Sequence, residues 1–459
     1  MKRRDFTNGS VTKNILHLAW PMMVAFTLHV GFNLIDTIFV GRYSALALAA
    51  ISITFPVIFL IIALASGIGI GVTSFIARLI GAKRVNKAQE VAKHGLILAF
   101  FMWVFFACFG LLFAKPLFMY LGAEGEILSM SLRYAYTIFI GSFFMFFAFI
   151  SNSILRGEGD TKTPMKIMAL ATVVNIILDP FMIFGLWIFP ELGIFGAALA
   201  TVIARSISAI VVLTYLFKGN ALLKLDFKLP KFDFGIIREI FHVGIPASLS
   251  QSVMSLGMFF MMKVVSFFGP YAIAAYGLLG RLDSVAILPA LGIATAVITI
   301  VGQNVGAEKF DRAESTAWKA SLLAAAFMEL VGVIFFATPR FWISIFNKHP
   351  DIISYGISYL RIVSLTYAFI GIGIVMGAAF QGAGKGYPSL ALTAVRLFVL
   401  SIPLALIFAF VADLGLKGVW IGIMVSIVLS SIIGAIWFSI GTWKKGKHIP
   451  IEMPEGLEG

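Results

Sequence analysis

Two aspartates interrupt long apolar runs, Asp36 in FNLIDTIFVG and Asp179 in VVNIILDPFMIFG. Asn33 lies three residues before Asp36, and Asn175 four before Asp179. At helical spacing each amide therefore faces the same way as its carboxylate. Thr172 continues the second face. Pro180 has no N–H to give the carbonyl of Ile176, so a bend is expected there and the carbonyl is freed. Two carboxylates, two amides, a hydroxyl and a freed carbonyl form a set of hard oxygen ligands. Such a set suits Na⁺, or a carboxylate pair that takes up H⁺. A plainer reading also stands. Both aspartates lie toward the end of their runs, and carboxylates facing water there would need no ligand.

The elements that carry these residues must be membrane helices. Of 459 residues, 60% are hydrophobic and 12% charged, against roughly 25% charged in an average soluble domain. That composition excludes a soluble enzyme, a nucleic-acid binder and a secreted disulfide scaffold. A bilayer core needs about 20 apolar residues per helix. Twelve such runs are predicted, at 14–40, 47–78, 92–114, 128–155, 163–189, 193–217, 238–268, 271–303, 316–338, 353–381, 388–412 and 415–442. They are long and continuously apolar, unlike the short alternating strands of a β-barrel.

The net charge of +13 fits a membrane protein whose basic loops face the cytoplasm. With the N-terminus placed inside, the inner loops and tails hold 24 of the 35 Lys and Arg. The outer loops hold 5: Arg42, Lys115, Arg340, Lys348 and Lys417. Both termini are therefore expected in the cytoplasm, in the cell (inner) membrane. The start MKRRDFTNGSVTKN has no apolar core before a cleavage site and reads as a retained tail. The predicted organisation is an N-tail (1–13), an N-terminal lobe (14–217), a basic linker (218–237), a C-terminal lobe (238–442) and a C-tail (443–459).

The two halves repeat. Pro21 matches Pro246, Gly67 matches Gly292, and GAKRVNKA at 81–88 matches GAEKFDRA at 306–313, all at an offset of 225. RGEGDTKTP at 156–164 resembles QGAGKGYP at 381–388, and LGIFGA at 192–197 resembles LGLKGV at 414–419. Six spans per half is even, so both halves enter from the same side. Parallel repeats of this kind build alternating-access carriers. A duplicated scaffold without transport is the bland alternative.

No ATP site is visible. In GAGKG at 382–386 the first glycine a P-loop requires falls on Ala379, and Lys385 is followed by Gly386. GIGIG at 67–71 sits inside a membrane helix, where glycines serve close packing. Transport is therefore expected to run on an ion gradient or on the substrate itself, with no cofactor. The single cysteine, Cys108, and six scattered histidines offer no disulfide and no multi-ligand metal site beyond Na⁺. There is no GxSxG motif or glycine-flanked di-Asp motif, so an intramembrane enzyme is not expected. A channel is disfavoured by the repeat.

The C-terminal half has its own charges: Lys263, Arg281, Asp283, Glu329 and Arg396. Opposite charges buried in one bundle usually pair. Asp283, close to Arg281, is the best secondary candidate of these for a substrate or coupling role. His29, about two turns before Asp36, could titrate near neutrality, or simply pack. Among 45 Phe and 18 Met, most must face lipid or pack. Met22, Phe32, Phe139, Met254, Met258 and Met261 are candidates to line a pliable site for flat cationic compounds.

Taken together, the chain resembles the multidrug and toxic compound extrusion (MATE) family. The resemblance rests on the twelve-span repeat, NxxD in the first span, NxxxDP in the fifth, the GA-basic segments after spans two and eight, and GxGxxxxP after span four. It is closest to the prokaryotic branch whose cation site lies in the N-terminal lobe. It implies a V-shaped two-lobe fold and efflux of amphipathic, often cationic, compounds in exchange for Na⁺ or H⁺. It implies a cation site of Asp36, Asn175 and Asp179, with Thr201 of GAALAT as the matching hydroxyl. Hinges would fall at Pro21, Pro180 and Pro246, and twelve spans suffice for a monomer in the bilayer. Two departures matter. Relatives often carry Tyr where this chain has Phe32, which removes a hydrogen-bond partner. Other branches keep acids in spans seven and ten. Here span seven offers Glu239 only at its edge, then Gln251 and Lys263, and span ten offers Gln381. A C-terminal cation site of that kind is not expected. The nearest rival is a lipid or lipid-linked precursor flippase of the same superfamily. That reading needs a basic cavity, for which Arg205, Lys263, Arg281 and Arg396 are the candidates.

Overall fold

Apolar runs this long leave each backbone N–H and C=O one partner inside a bilayer, the same chain's own helix. The computed structural model, which describes residues 5–219, 221–226 and 228–445, contains only helices and the turns and loops that join them among those residues. Twelve stretches are long and apolar enough to cross a membrane. The first nine are α1 (Val11–Tyr43), α2 (Ala45–Gly81), α3 (Val85–Tyr120), α4 (Gly125–Gly157), α5 (Lys162–Phe184), α6 (Ile194–Phe217), α7 (Phe234–Ser266), α8 (Pro270–Gly306) and α9 (Phe310–Ala337). A short α10 (Pro339–Ser344) follows. The tenth span is α11 (Pro350–Val363) and α12 (Tyr367–Gly382), joined by a tight turn at Ser364–Thr366. The eleventh is broken into α13 (Gly386–Ala394), a wide π-helical stretch Val395–Ser401, α14 (Ile402–Leu406) and a second wide stretch Ile407–Val411. Pro403, at the start of α14, lacks an N–H and its ring crowds the preceding turn, which accounts for this break. The last span is α15 (Gly415–Ser439).

The fifth span is shorter than its apolar run predicts. It stops at Phe184 because Gly185 adopts φ +68°, a left-handed cap that ends the helix. A side chain at Gly185 would press on the backbone N of Glu191 at 2.6 Å.

The repeat is visible in the turns. Lys83 and Glu308, 225 residues apart, both take positive φ, 61° and 59°. In each turn the next amide folds back on the helix: Arg84 N donates to Leu79 O at 2.9 Å, and Lys309 N to Asn304 O at 2.8 Å. Gly159 and Gly384, again 225 apart, have φ of 91° and 83°. Asp160 N then donates to Leu155 O and Lys385 N to Phe380 O.

The chain forms two compact units, and the division falls inside two helices instead of in the 218–237 connection. One unit is Val24–Gly244; the other joins the residues up to Met23 with those from Ile245 onward. The first turns of α1 thus belong with the C-terminal unit, and those of α7 with the N-terminal unit. The changeovers lie beside Pro21 and Pro246, each inside a continuous helix. Glycines permit both docking contacts. A Cβ on Gly71 of α2 would sit 2.3 Å from the carbonyl oxygen of Ile240 on α7, and one on Gly292 of α8 would sit 2.9 Å from the backbone N of Met23 on α1. In the N-terminal unit Arg78 also meets Glu239 of α7 at 2.7 Å, almost out of solvent.

The segments ahead of α1 and α7 are strapped to the basic turns they match. Asn304, Lys309 and Arg312 donate to the backbone or side chains of Phe6, Thr7 and Asn8. Lys93 bonds Asp226, and Lys87 bonds Asp233. His94 Nε2 accepts the N–H of Asp233. Asp233 in turn caps α7 by accepting the N–H groups of Gly235 and Ile236.

Both strap carboxylates lie below the ordinary aspartate value of 3.8. For Asp226 the hydrogen bond from Lys93 leads. For Asp233 partial burial would raise it, but Lys87 and the capping amides outweigh that. Their stabilisation is complete above the unfolded value and is lost as pH falls through the lower folded values. Hydrogen-exchange protection of residues 228–236 should therefore hold from neutral pH down to about 4 and fall below it. Asp233→Ala should weaken this protection at neutral pH by about 1 kcal/mol. Unchanged protection in that variant would remove the strap from the account.

Candidate functional site

In the N-terminal unit, α5 presents Thr172, Asn175 and Asp179 on one buried face; Asn175 and Asp179 are 0% exposed. The Asn175 amide donates to Asp179 Oδ1 at 2.9 Å. That bond leaves the amide oxygen of Asn175 without a partner. Asp36 of α1 stands close enough for its charge to act on Asp179. Four oxygens here have no hydrogen-bond partner although they are buried: Asp36 Oδ1, Thr172 Oγ1, Asn175 Oδ1 and Asp179 Oδ2. A buried polar atom left unpaired costs about 1–3 kcal/mol. Four such atoms, two of them carboxylate oxygens, are hard acceptors of the kind a cation or a proton satisfies.

Tyr134 of α4 completes the surroundings. Its phenol lies in the field of both carboxylates, and its ring is packed among Val40, Ile138 and Ala197. Nothing in local spacing points to Tyr134, which follows Arg133 and is paralleled two residues on by Tyr136. Thr201 is half-buried on α6, one turn beyond Ala197 and Ala198 of the same apolar cluster. Asn33 is exposed and turns back along α1, donating to the carbonyl of His29 at 3.0 Å. Its amide is thus spent on its own helix. His29 stacks on Phe32, and the Arg205 guanidinium lies 5.3 Å from the Phe32 ring centre. Phe32 is therefore buried in a cationic neighbourhood. Phe139 is 1% exposed and fills the space beside Gly110, and Met22 is 3% exposed. Both are packing residues with almost no free surface. Pro180 sits inside α5 without ending it.

The C-terminal unit answers the question of what pairs with Asp283, and the answer is not an ion pair. Tyr359 donates to Asp283 Oδ2 at 2.6 Å, and Tyr367 donates to Oδ1. Arg281, two residues away, is exposed. It lines the same cavity as Asp283, but no hydrogen bond or ion pair joins the two. Glu329 of α9 accepts the N–H of Ala368 at 3.0 Å, which satisfies the start of α12 after the break at Ser364–Thr366. Lys263 is exposed with its ammonium 5.5 Å from the Phe267 ring centre.

Asp283 borders a cavity of about 350 Å³ built wholly within this unit. Met254, Met258 and Met261 of α7 line it, together with Arg281 and with Arg396 from the wide turn of the eleventh span. The three methionines expected at a substrate surface therefore share one cavity. Its fixed charges are two guanidinium groups and one carboxylate.

The MatE family model matches residues 21–181 and again 246–407, one match in each half. The chain belongs to the MatE family. It is 30% identical to the probable multidrug resistance protein NorM of Thermotoga maritima over 95% of this chain and 94% of that one. It is 29% identical to a FAD transporter of Shewanella oneidensis over 94% of this chain and 95% of that one. Among solved structures it superimposes on an outward-facing multidrug resistance MATE family transporter of the MOP superfamily with a TM-score of 0.91, at 33% identity, covering 97% of this chain and 99% of that one. As a MATE transporter it is a multi-pass membrane protein that moves small molecules by alternating access.

The tyrosine clamp on Asp283 makes this MATE chain's C-terminal unit testable. Tyr359→Phe and Tyr367→Phe should each lower thermal stability in detergent by about 1–3 kcal/mol, because each leaves a buried carboxylate oxygen unpaired. In an Asp283→Asn background the same changes should cost clearly less. Equal costs in both backgrounds would show that the tyrosines act by packing alone.

Proposed function

We propose that this MATE transporter is a cation-coupled antiporter whose coupling site is Asp36, Thr172, Asn175 and Asp179 in the N-terminal unit. The observation that carries this reading is the group of four buried, unpartnered oxygens around the two carboxylates. Na⁺ or H⁺ satisfies them equally in sign. Na⁺ would take the oxygens as ligands, and H⁺ would remove one of two like charges in a buried place. Both termini lie in the cytoplasm in this scheme, following the basic inner loops, and the cation enters from outside.

A cation drives a carrier only by its differential affinity for two conformations. The changeovers beside Pro21 and Pro246 supply the bending points for such a pair of states. Asp36 lies in the part of α1 beyond Pro21, so a change in its charge acts on a helix shared by both units. The chain acts as a carrier and not as an enzyme; its cargo is an amphipathic small molecule, exported in exchange. Relatives are named both for multidrug resistance and for FAD, so family membership leaves the cargo open. One observation favours a second reading as a lipid-handling flippase, namely the two guanidinium groups in the C-terminal cavity.

The test is dye transport in proteoliposomes with a pH gradient alone and then a Na⁺ gradient alone. One gradient should drive dye movement. Asp36→Asn and Asp179→Asn should each reduce it by about tenfold or more, the scale of an ordinary coupling free energy. Asn33→Ala should leave it nearly unchanged. If neither gradient moves dye while labelled lipid crosses, the flippase reading replaces the antiporter.

A further inference from the structure

We propose that the cavity of the C-terminal unit is a binding site for an organic anion, a phosphate or carboxylate carried on a flat apolar body. Among the described residues no hydrogen bond or ion pair engages Arg281 or Arg396, although both line this cavity. A guanidinium within an apolar span, such as Arg396, is costly without a counter-charge, and the exposed Arg281 adds a second positive charge to the same wall. The one carboxylate on the wall, Asp283, offsets only one of the two charges, and its two oxygens already accept the hydroxyls of Tyr359 and Tyr367. The wall therefore keeps an excess positive charge and two guanidinium forks that no hydrogen bond engages among the described residues, and such forks match phosphate and carboxylate oxygens two at a time.

The remainder of the wall suits the apolar body. Met254, Met258 and Met261 offer adaptable thioether side chains. The volume, about 350 Å³, lies within the roughly 300–1,000 Å³ usual for small-molecule pockets. Arg396 sits in the wide stretch Val395–Ser401, and the next residue, Leu397, packs against Gly257 of α7, whose Cβ would be 2.7 Å away. Irregular backbone is thus placed where it lines a cavity, the situation in which a membrane protein tolerates it. The charge of the wall is opposite to the one a site for cations needs. The site does not depend on the Asp36–Asp179 coupling reading, since it is measured without a gradient.

The experiment is isothermal titration calorimetry on the full chain in detergent, with 2-naphthyl phosphate against 2-naphthylmethylammonium, which share a ring and differ in charge. The phosphate should bind about tenfold or more tightly than the ammonium. Arg396→Gln and Arg281→Gln should each weaken it about tenfold, the scale of a charge-assisted hydrogen bond, and Arg396→Lys should restore part of the loss. Arg281 is exposed, so its variant carries the test if Arg396→Gln does not fold. Equal binding of the two ligands, no binding of either, or full phosphate affinity in a folded Arg281→Gln variant would overturn the proposal. Competition by lysophosphatidate but not lysophosphatidylcholine would identify a lipid headgroup as the source of the anion; absence of competition would identify a soluble compound.

Discussion

A carboxylate or guanidinium among apolar helices must find a counter-charge or a set of hydrogen bonds. That single constraint organises this molecule. The two units meet it in opposite ways. In the N-terminal unit, Asp36 and Asp179 are left with oxygens that no protein group satisfies. In the C-terminal unit, Asp283 is satisfied on both oxygens by Tyr359 and Tyr367, while the arginines beside it are not. One half thus holds acids with unmet acceptors, and the other an acid whose acceptors are met.

The contrast grew out of a duplication. The turns after α2 and α8 keep the same backbone geometry, down to a non-glycine residue at positive φ in each. Tyr134 and Tyr359 also stand 225 residues apart, one in the field of Asp36 and Asp179, the other bonded to Asp283. The tyrosine position is shared by the two halves, while the acids stand on α1 and α5 in one and on α8 in the other. Exchange of the first turns of α1 and α7 between units is a second product of the duplication. It makes each of these helices a member of both units, with a proline near each changeover. Asp36 thereby lies on a helix that neither unit owns alone.

Much of this was legible in the sequence, and for definite reasons. Hydropathy locates all twelve spans because a membrane helix must be apolar along its length. Spacing within one helix brings Thr172, Asn175 and Asp179 to one face. Spacing fails where a choice between partners is made in three dimensions. Asn33 shares the side of Asp36 by periodicity, yet its amide finds the carbonyl of His29 first. Asp283 sits two residues from Arg281, yet its partners come from 76 and 84 residues away. Phe139 has the composition of a drug-contacting residue but is consumed by packing against Gly110. The end of α5 at Gly185 and the broken eleventh span are backbone events. Glycine and proline mark such events without saying which way the chain will turn.

The central claim is that the acids of the N-terminal unit, and not Asp283, take up the coupling cation. Direct binding of ²²Na⁺ to the purified chain, with proton uptake or release followed in the same sample, tests it without transport. One cation should bind per chain, and Asp36→Asn or Asp179→Asn should abolish that binding while Asp283→Asn leaves it intact. Binding that survives both N-terminal substitutions, or that disappears with Asp283→Asn alone, would contradict the account.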